Sequence, residues 1–456
     1  MKNLKSTLLL FTLLALTSCQ TSSYRNVASD HHISNNVHQL VSWETGANAV
    51  SKRSNEIIRV EHYEIPLRLL QRDFDDSLDP QIKSSLMFKK NNETYVRWLI
   101  NPEDSKWHLE VKAFLEKHNV DSTPKKFFDG YLTASRSMIL VNPENGANFS
   151  LKVSTNLTGG NWTDKKQTWK DAQQVRNINK WVHEILPKMK SETLVVMEEP
   201  LAMGIKEIDH GMIMRSLNNL PEDKFFYLPA FSALHDEEGA RIAKLNGATE
   251  HGIANFWDKH LNQPLANAMA EYFSMTGMWY DSPHAQNFLV ELDRDMKPTG
   301  RIVLRDLGDA YILDDFVKNT KWAWITSHWE DGKVQTGKIN TGIGLLKGNT
   351  PPKWMSGLEY KEFGWNFYRT FEKRFSELSG IPQTELTKTD SKEIIFDYSK
   401  KVYPTTSEAW KKFTRFAACM NGEAQALSGE KCLELYEKRH VKIDCMKAAT
   451  AIINAR

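Results

Sequence analysis

Two runs rich in β-forming residues, RSMILV (136–141) and FSLKVST (149–155), flank the turn-forming NPENGAN and predict a hairpin. In its second arm Phe149, Leu151 and Val153 share one face, so Lys152 points to the other with Ser150 and Ser154. The same period of two runs through Phe288, Val290 and Leu292, then through Ile302 and Leu304, with DRDMKPTG as the connecting turn. Antiparallel pairing of that second hairpin sets Gln286 and Asn287, entering one strand, beside Arg305 and Asp306, leaving its partner. Short strands are predicted at Thr193–Met197 and Gly211–Arg215.

Helical spacing takes over from Trp169 to Leu186, where Pro187 stops a helix that carries Arg176. It returns between Trp257 and Trp279, where Leu261, Leu265, Ala268 and Tyr272 recur and the chain is delivered to His284. Near the C-terminus, Thr405-x-x-Glu408 after Pro404 has the form of a capping box, with Trp410, Phe413 and Phe416 as an apolar face. The mixture predicts an α+β protein.

The first residues read differently. Lys2 and Lys5 precede an apolar run from Leu8 to Leu16, too short to span a bilayer comfortably and placed as an export signal. The run ends in Leu16-Thr17-Ser18-Cys19, which resembles the lipobox of bacterial lipoproteins and implies lipidation of Cys19 as the first mature residue. Gln20 in the next position resembles lipoproteins sorted to an outer membrane, so the expected location is the cell envelope, lipid-anchored on the periplasmic or surface face. Residues 20–55, rich in Ser, Asn and His, read as a flexible tether. In that tether His31, His32 and His38 have no acidic or cysteine partners, so a solvated tail outweighs metal ligation. The body then divides into an N-terminal α+β lobe with the hairpin (56–200), a central lobe (201–320) and a helical C-terminal lobe (321–456).

Charge narrows the partners. Without Lys2 and Lys5 the 59 basic side chains fall to 57, equal to the 57 acidic ones, and nothing predicts nucleic-acid binding. With 14 Trp and 21 Phe in a chain that is 41% hydrophobic, there is material for a sizeable core. Tryptophans at mixed spacings are core residues before they are carbohydrate platforms. Cys419, Cys432 and Cys445 permit one disulfide in three pairings or free buried thiols; a zinc site would need a fourth ligand, with His440 the nearest candidate.

The converging ends of the second hairpin carry the candidate chemistry. An Asn amide and an Asp carboxylate, Asn287 and Asp306, are hard-oxygen ligands of the kind that hold magnesium on a polyphosphate, and Lys152 would supply a phosphate-binding cation. The alternative is a buried Asp306 paired with Arg305 as structural cement.

The order of segments, LTASRS, FSLKVST, HGMIMRSL, SPHAQNFLVELD and IVLRDLGD, resembles the siderophore synthetases that work independently of nonribosomal assembly lines, the aerobactin-synthetase type. Those enzymes carry a Ser-x-Arg-Thr element, a strand Lys, a Gly-Val-x-x-Arg strand, a Glu-x-His-x-Gln-Asn element and an Arg-Asp strand in that order. The resemblance implies a kinase-like, siderophore-synthetase-like arrangement of antiparallel sheets with a helical C-terminal lobe. It also implies ATP- and Mg2+-dependent activation of a small carboxylate for amide or ester formation. Carried over, Arg136 and Lys152 contact phosphates, and His284 stands beside the α-phosphate or the acyl group as a catalytic residue with Lys152. Gln286, Asn287 and Arg305 contact the nucleotide, and Asn287 and Asp306 the metal.

This chain departs from the pattern. Ser282 stands where the acidic residue two before the His is expected, Ala134 where the Ser is, no His-Pro-x-His element occurs, and the N-terminal side is short. A second phosphate-binding Arg has only Arg176 as candidate. Two readings therefore stand: an active ligase or kinase-like transferase of iron acquisition, or an inactive membrane-anchored relative that binds an anionic ligand such as a siderophore or carboxylate. A third is a structural or adhesive surface lipoprotein.

Overall fold

Alternating burial of the kind read at Phe149, Leu151 and Val153 continues through the first half of the chain and builds one large sheet. The computed structural model describes residues 35–46 and 57–420, apart from 77, 134–135, 158–163, 189–190, 218–223, 281–283, 319, 331, 343–350 and 388–399. The export segment, Cys19, His31, His32, Cys432, Cys445 and the side chain of Cys419 lie outside the described residues.

In chain order the strands of the N-terminal half are β1 (Ile58–Pro66), β2 (Gln71–Phe74), β3 (Met87–Lys90), β4 (Glu93–Leu99), β5 (Lys125–Leu132), β6 (Ser137–Val141), β7 (Asn148–Lys152), β8 (Leu194–Val196), β9 (Leu201–Ile205) and β10 (His210–Arg215). They continue with β11 (Phe226–Pro229), β12 (Met278–Trp279), β13 (Phe288–Leu292), β14 (Pro298–Leu304), β15 (Tyr311–Leu313), β16 (Val334–Gln335), β17 (Lys338–Gly342) and β18 (Lys400–Pro404). Five helices matter most: α1 (Asn35–Gly46), α2 (Trp169–Ile185), α3 (Gln263–Thr276), α4 (Gly357–Ser379) and α5 (Glu408–Met420).

The large sheet has the order β2-β9-β10-β7-β6-β5-β1-β4-β3, every pair antiparallel. One face buries Phe149, Leu151, Met212 and Met214 against the short helices Pro80–Leu86 and Trp107–Lys117. The other carries Tyr131, Ile139 and Val141 toward Tyr227, Leu289 and Val303 of a second sheet, ordered β11-β13-β14-β8. That second sheet turns Phe288, Val290, Leu292, Ile302 and Leu304 away from the first and into a core shared with α3, α4 and α5. The protein is α+β, layered as short helices, large sheet, small sheet and helical lobe.

Helix α2 lies on the inner face of β9 and β10, through Trp169, Ala172 and Val175 against Ala202 and Ile213. Two glycines permit that approach: a Cβ at Gly204 would stand 2.2 Å from the Trp169 ring, and one at Gly211 would stand 2.1 Å from the Thr168 carbonyl. Thr168 caps the helix by accepting from Asp171 N.

The helical C-terminal lobe also carries a strand pair: β17 and β18 pair antiparallel, and Lys401 and the Tyr403 hydroxyl meet the buried carboxylate of Glu372. Two expectations need correction. Part of the tether, residues 35–46, is α1, which buries Val37, Leu40, Val41 and Trp43 against the small sheet, because that stripe finds an apolar partner surface. Helix α5 starts at Glu408, with the Ser407 hydroxyl accepting from Trp410 N at 3.4 Å, while Thr405 gives its N–H to the Gly337 carbonyl, so the cap lies two residues later than predicted. No helix among the described residues is long and apolar enough to cross a membrane.

Candidate functional site

The two predicted hairpins meet. Lys152 ends β7 of the large sheet on the face opposite Leu151, and Asp306 follows β14 of the small sheet. The Lys152 Nζ donates to Asp306 Oδ1 at 2.6 Å, a bond between residues 154 apart in sequence that ties the sheets together. Pairing of β13 with β14 runs past its last rungs, with Arg305 N donating to the Asn287 carbonyl at 3.0 Å, so the two ends converge as the register required.

Asp306 has a left-handed backbone, φ 66° and ψ 62°. A non-glycine residue there costs roughly 1–2 kcal/mol, and the Tyr280 hydroxyl, donating to the carbonyls of Arg305 and Asp306 at 3.4 and 3.3 Å, helps to hold it. The left-handed step ends the strand and presents the carboxylate to the large sheet.

Around Asp306 stand Lys152, Arg215 with Nη2 at 4.0 Å, and Arg136. Arg215 ends β10 on the same face as Lys152, and its Nε and Nη2 donate to Glu199 Oε1 at 3.1 and 2.6 Å. Glu199 Oε2 accepts from Leu307 N at 3.2 Å, which anchors the Asp306 turn as well. Arg136, only 7% exposed, donates from Nη1 to Gln167 Oε1 at 2.9 Å. Gln167 is itself fixed by Ser154, whose hydroxyl accepts from Gln167 N, and by Gly211 N, which donates to its carbonyl. No carboxylate among the described residues forms an ion pair with Arg136 or with the more exposed Lys165, which lies within electrostatic reach of Arg136 and Asp306.

The cluster holds Arg136, Lys152 and Arg215 with the carboxylates Glu199 and Asp306, and Lys165, Asp171, Asp309 and Glu330 act on Arg136 or Asp306 from farther off. Burial by itself would raise the Asp306 pKa, but Lys152, Arg215 and Arg136 outweigh it and hold the carboxyl well below the usual range. Burial pushes Lys152 down to about 8, opposed by Asp306 and reinforced by Arg136 and Arg215.

The other expected site residues are placed differently. Arg305 does not join the cluster: Nη1 lies 2.5 Å from Glu44 Oε1 of α1 and Nε donates to the Gln286 carbonyl at 2.8 Å, so its expected nucleotide contact gives way to structural cement, with Glu44 rather than Asp306 as partner. Arg176 is also committed, its guanidinium donating to Asp73 and Asp75. The buried Asn287 borders the cluster and donates from Nδ2 to Asp309 Oδ2 at 3.1 Å. His284 accepts on Nδ1 from Gln286 N at 3.2 Å, within its own turn. Arg215 and Glu199 were not singled out beforehand, although Arg215 closes the GMIMR strand and alternation from Lys152 through its paired neighbour places it on the same face.

The donor set suits a polyphosphate or another multiply charged anion, which two cations without carboxylate partners are free to meet. Of the oxygens expected to hold Mg2+, Asp306 Oδ1 bonds the Lys152 ammonium and has the Arg215 guanidinium 4.0 Å away, while Asn287 donates from its NH2 to Asp309, which leaves its amide oxygen as the ligating atom.

No family model matches the sequence, and no curated protein matches it. Among solved structures the chain is similar to the petrobactin biosynthesis protein AsbB of Bacillus anthracis, at 15% identity and TM-score 0.48, covering 60% of this chain and 54% of that one. It is similar to the aerobactin synthetase IucC of Klebsiella pneumoniae, at 13% identity and TM-score 0.49, covering 72% and 62%. ATP-bound aerobactin synthetase IucA of the same organism gives 12% identity and TM-score 0.43, covering 71% and 62%. The chain thus spans between about half and three-fifths of the length of these structures. The family that the order of sequence motifs resembles is the family of these solved structures.

Proposed function

We propose that the basic cluster where the two sheets meet seats the polyphosphate of ATP, and that the protein activates a small carboxylate there for amide or ester formation, as the resembled synthetases do. The observation that carries the reading is Arg136: a buried guanidinium whose hydrogen bond goes to a neutral amide and which forms no ion pair among the described residues, the Asp306 carboxylate near it being bonded to Lys152. Burying such a charge is costly unless something anionic completes the site. Lys165 lies within electrostatic reach of Arg136 and Asp306, and Lys152 bonds Asp306 directly. A bound nucleotide supplies an electrophilic phosphorus and a leaving pyrophosphate. This chain's residues orient the phosphates, and their fixed positive charge favours the more highly charged transition state.

ATP binding measured by calorimetry tests it. Arg136→Gln is expected to weaken binding about ten- to a hundred-fold, the loss of one charge-assisted hydrogen-bonding group. Unchanged affinity in that variant, with the fold intact by circular dichroism, would sink the reading. A second reading, an inactive relative that only binds an anion, is favoured by the Lys152–Asp306 bond, which already quenches the central cation. Release of AMP from ATP in the presence of carboxylates and amines separates the two.

We also propose that lipid on Cys19 holds this body at the cell envelope, outer-membrane face included. The support is the short apolar run ending in Leu16-Thr17-Ser18-Cys19. Cys19→Ala is expected to move the protein from the membrane fraction to the soluble one; retention in membranes would count against the anchor.

A further inference from the structure

We propose that Glu44 of α1 is a positioning residue for the turn that carries His284, Gln286 and Asn287, acting through Arg305, so that the helix on the Cys19 side of the body sets one arm of the candidate site. Its bearing on the reaction rests on the ATP reading above; the coupling of helix to turn rests on the bonds between them.

The turn Ala285–Asn287 is three residues long and its own bonds are local: Gln286 N donates to His284 Nδ1 at 3.2 Å and Asn287 N to the His284 carbonyl at 2.8 Å. A single 3-10 turn does not hold itself in water. Two bonds from Arg305 fix it to the neighbouring strand end, with the backbone N donating to the Asn287 carbonyl at 3.0 Å and Nε to the Gln286 carbonyl at 2.8 Å. The first continues the register of β13 and β14, whereas the second depends on where the guanidinium lies. That guanidinium is 10% exposed and has the fully buried Glu44 carboxylate 2.5 Å from Nη1. A buried guanidinium keeps its place only with a counter-charge. Asp306, the next residue, turns its carboxylate to Lys152 instead. Glu44 therefore sets the guanidinium, and the guanidinium sets Gln286.

Packing follows a separate route. Helix α1 lies on β11 and is held where the Ser232 hydroxyl donates to the Trp43 carbonyl at 3.1 Å and Trp43 Nε1 donates to Glu238 Oε1 at 2.8 Å. Ser232 belongs to the short helix Ala230–Ala233, which follows β11 and packs on the turn where Ala285 is buried. Neither hold of Trp43 uses Arg305, so the ionic route can be cut by itself.

Amide hydrogen exchange of the full-length protein, read by mass spectrometry on peptides across 284–288, tests the coupling. Arg305→Lys keeps a positive partner for Glu44 but puts one nitrogen where the guanidinium has two, and exchange across 284–288 is expected to rise about ten-fold while α1, β6 and β7 stay put. Glu44→Gln should raise exchange both there and in α1. Trp43→Phe, which loosens α1 at its other hold, should raise α1 alone. No acceleration of 284–288 in Glu44→Gln or in Arg305→Lys, or an equal one in Trp43→Phe, overturns the coupling. So does acceleration spread evenly over β6 and β7 in both ionic variants, which is plain loss of stability. In calorimetric titration Arg305→Lys should bind ATP several-fold more weakly than the parent; unchanged affinity despite faster exchange overturns the positioning role. A parent protein that binds no ATP overturns the proposed function, and the exchange result still decides whether Glu44 holds the turn.

Discussion

Replacing Asp306 by alanine is expected to destabilise the protein by about 3–5 kcal/mol, the cost of removing one partner from a buried ion pair. Lys152, whose side chain is 14% exposed, would lose its counter-charge with Arg215 and Arg136 still beside it. Alanine would also have to adopt φ 66° without the local hydrogen bonding that lets aspartate tolerate it. Added pyrophosphate or phosphate should restore stability to Asp306→Ala more than it stabilises the parent protein, because the anion fills the electrostatic vacancy.

The pH dependence has a definite sign. The Asp306 carboxyl titrates below its unfolded value of about 3.9, so its stabilisation is full above that pH and is lost as pH falls through the folded value. The gap between parent and variant in urea unfolding should narrow below about pH 4. A gap under about 1 kcal/mol at pH 7, with no response to anions, would mean that the cations tolerate the loss and that the cluster is not electrostatically tense.

The geometry of this site was legible wherever period decided it. Alternation put Lys152 opposite Phe149, Leu151 and Val153, and hairpin pairing put Asp306 near Asn287. Long-range partner choice was not legible. Arg176 and Arg215 both end or interrupt apolar patterns, yet Asp73 and Asp75 claim the first, and only the pairing of β10 with β7 carries the second into the cluster. Arg305 could be assigned to Asp306 by adjacency, but the left-handed step at Asp306 presents its carboxylate to Lys152 of the large sheet, and the partner of Arg305 is Glu44. The spacing of Val37, Leu40, Val41 and Glu44 is helical, but in a stretch rich in Ser, Asn and His, so composition outweighed a short periodic signal that depended on a distant surface. Tryptophans read as core are largely that: Trp43, Trp181, Trp257, Trp279 and Trp410 are fully buried.

Glu44→Gln is expected to be nearly as damaging as Asp306→Ala. Both members of the Glu44–Arg305 pair are at most 10% exposed, so neutralising the carboxylate leaves a buried guanidinium and costs about 3–5 kcal/mol. Glu44 also moderates the positive field at Arg215, so its loss strengthens that field. Helix α1 has further holds: Trp43 is fully buried, donates from Nε1 to Glu238 Oε1 at 2.8 Å and offers its carbonyl to the Ser232 hydroxyl. Residues 35–46, between Cys19 and the body, are thus an integral part of the fold. A chain beginning at residue 35 should unfold like the full-length protein, and one beginning at residue 47 should be less stable by more than Glu44→Gln. Joining Glu44→Gln to Arg305→Gln should recover part of the single-variant loss, since two neutral amides leave no orphaned charge. Equal stability for chains beginning at 35 and at 47 would show that α1 is dispensable and that Arg305 finds its counter-charge elsewhere.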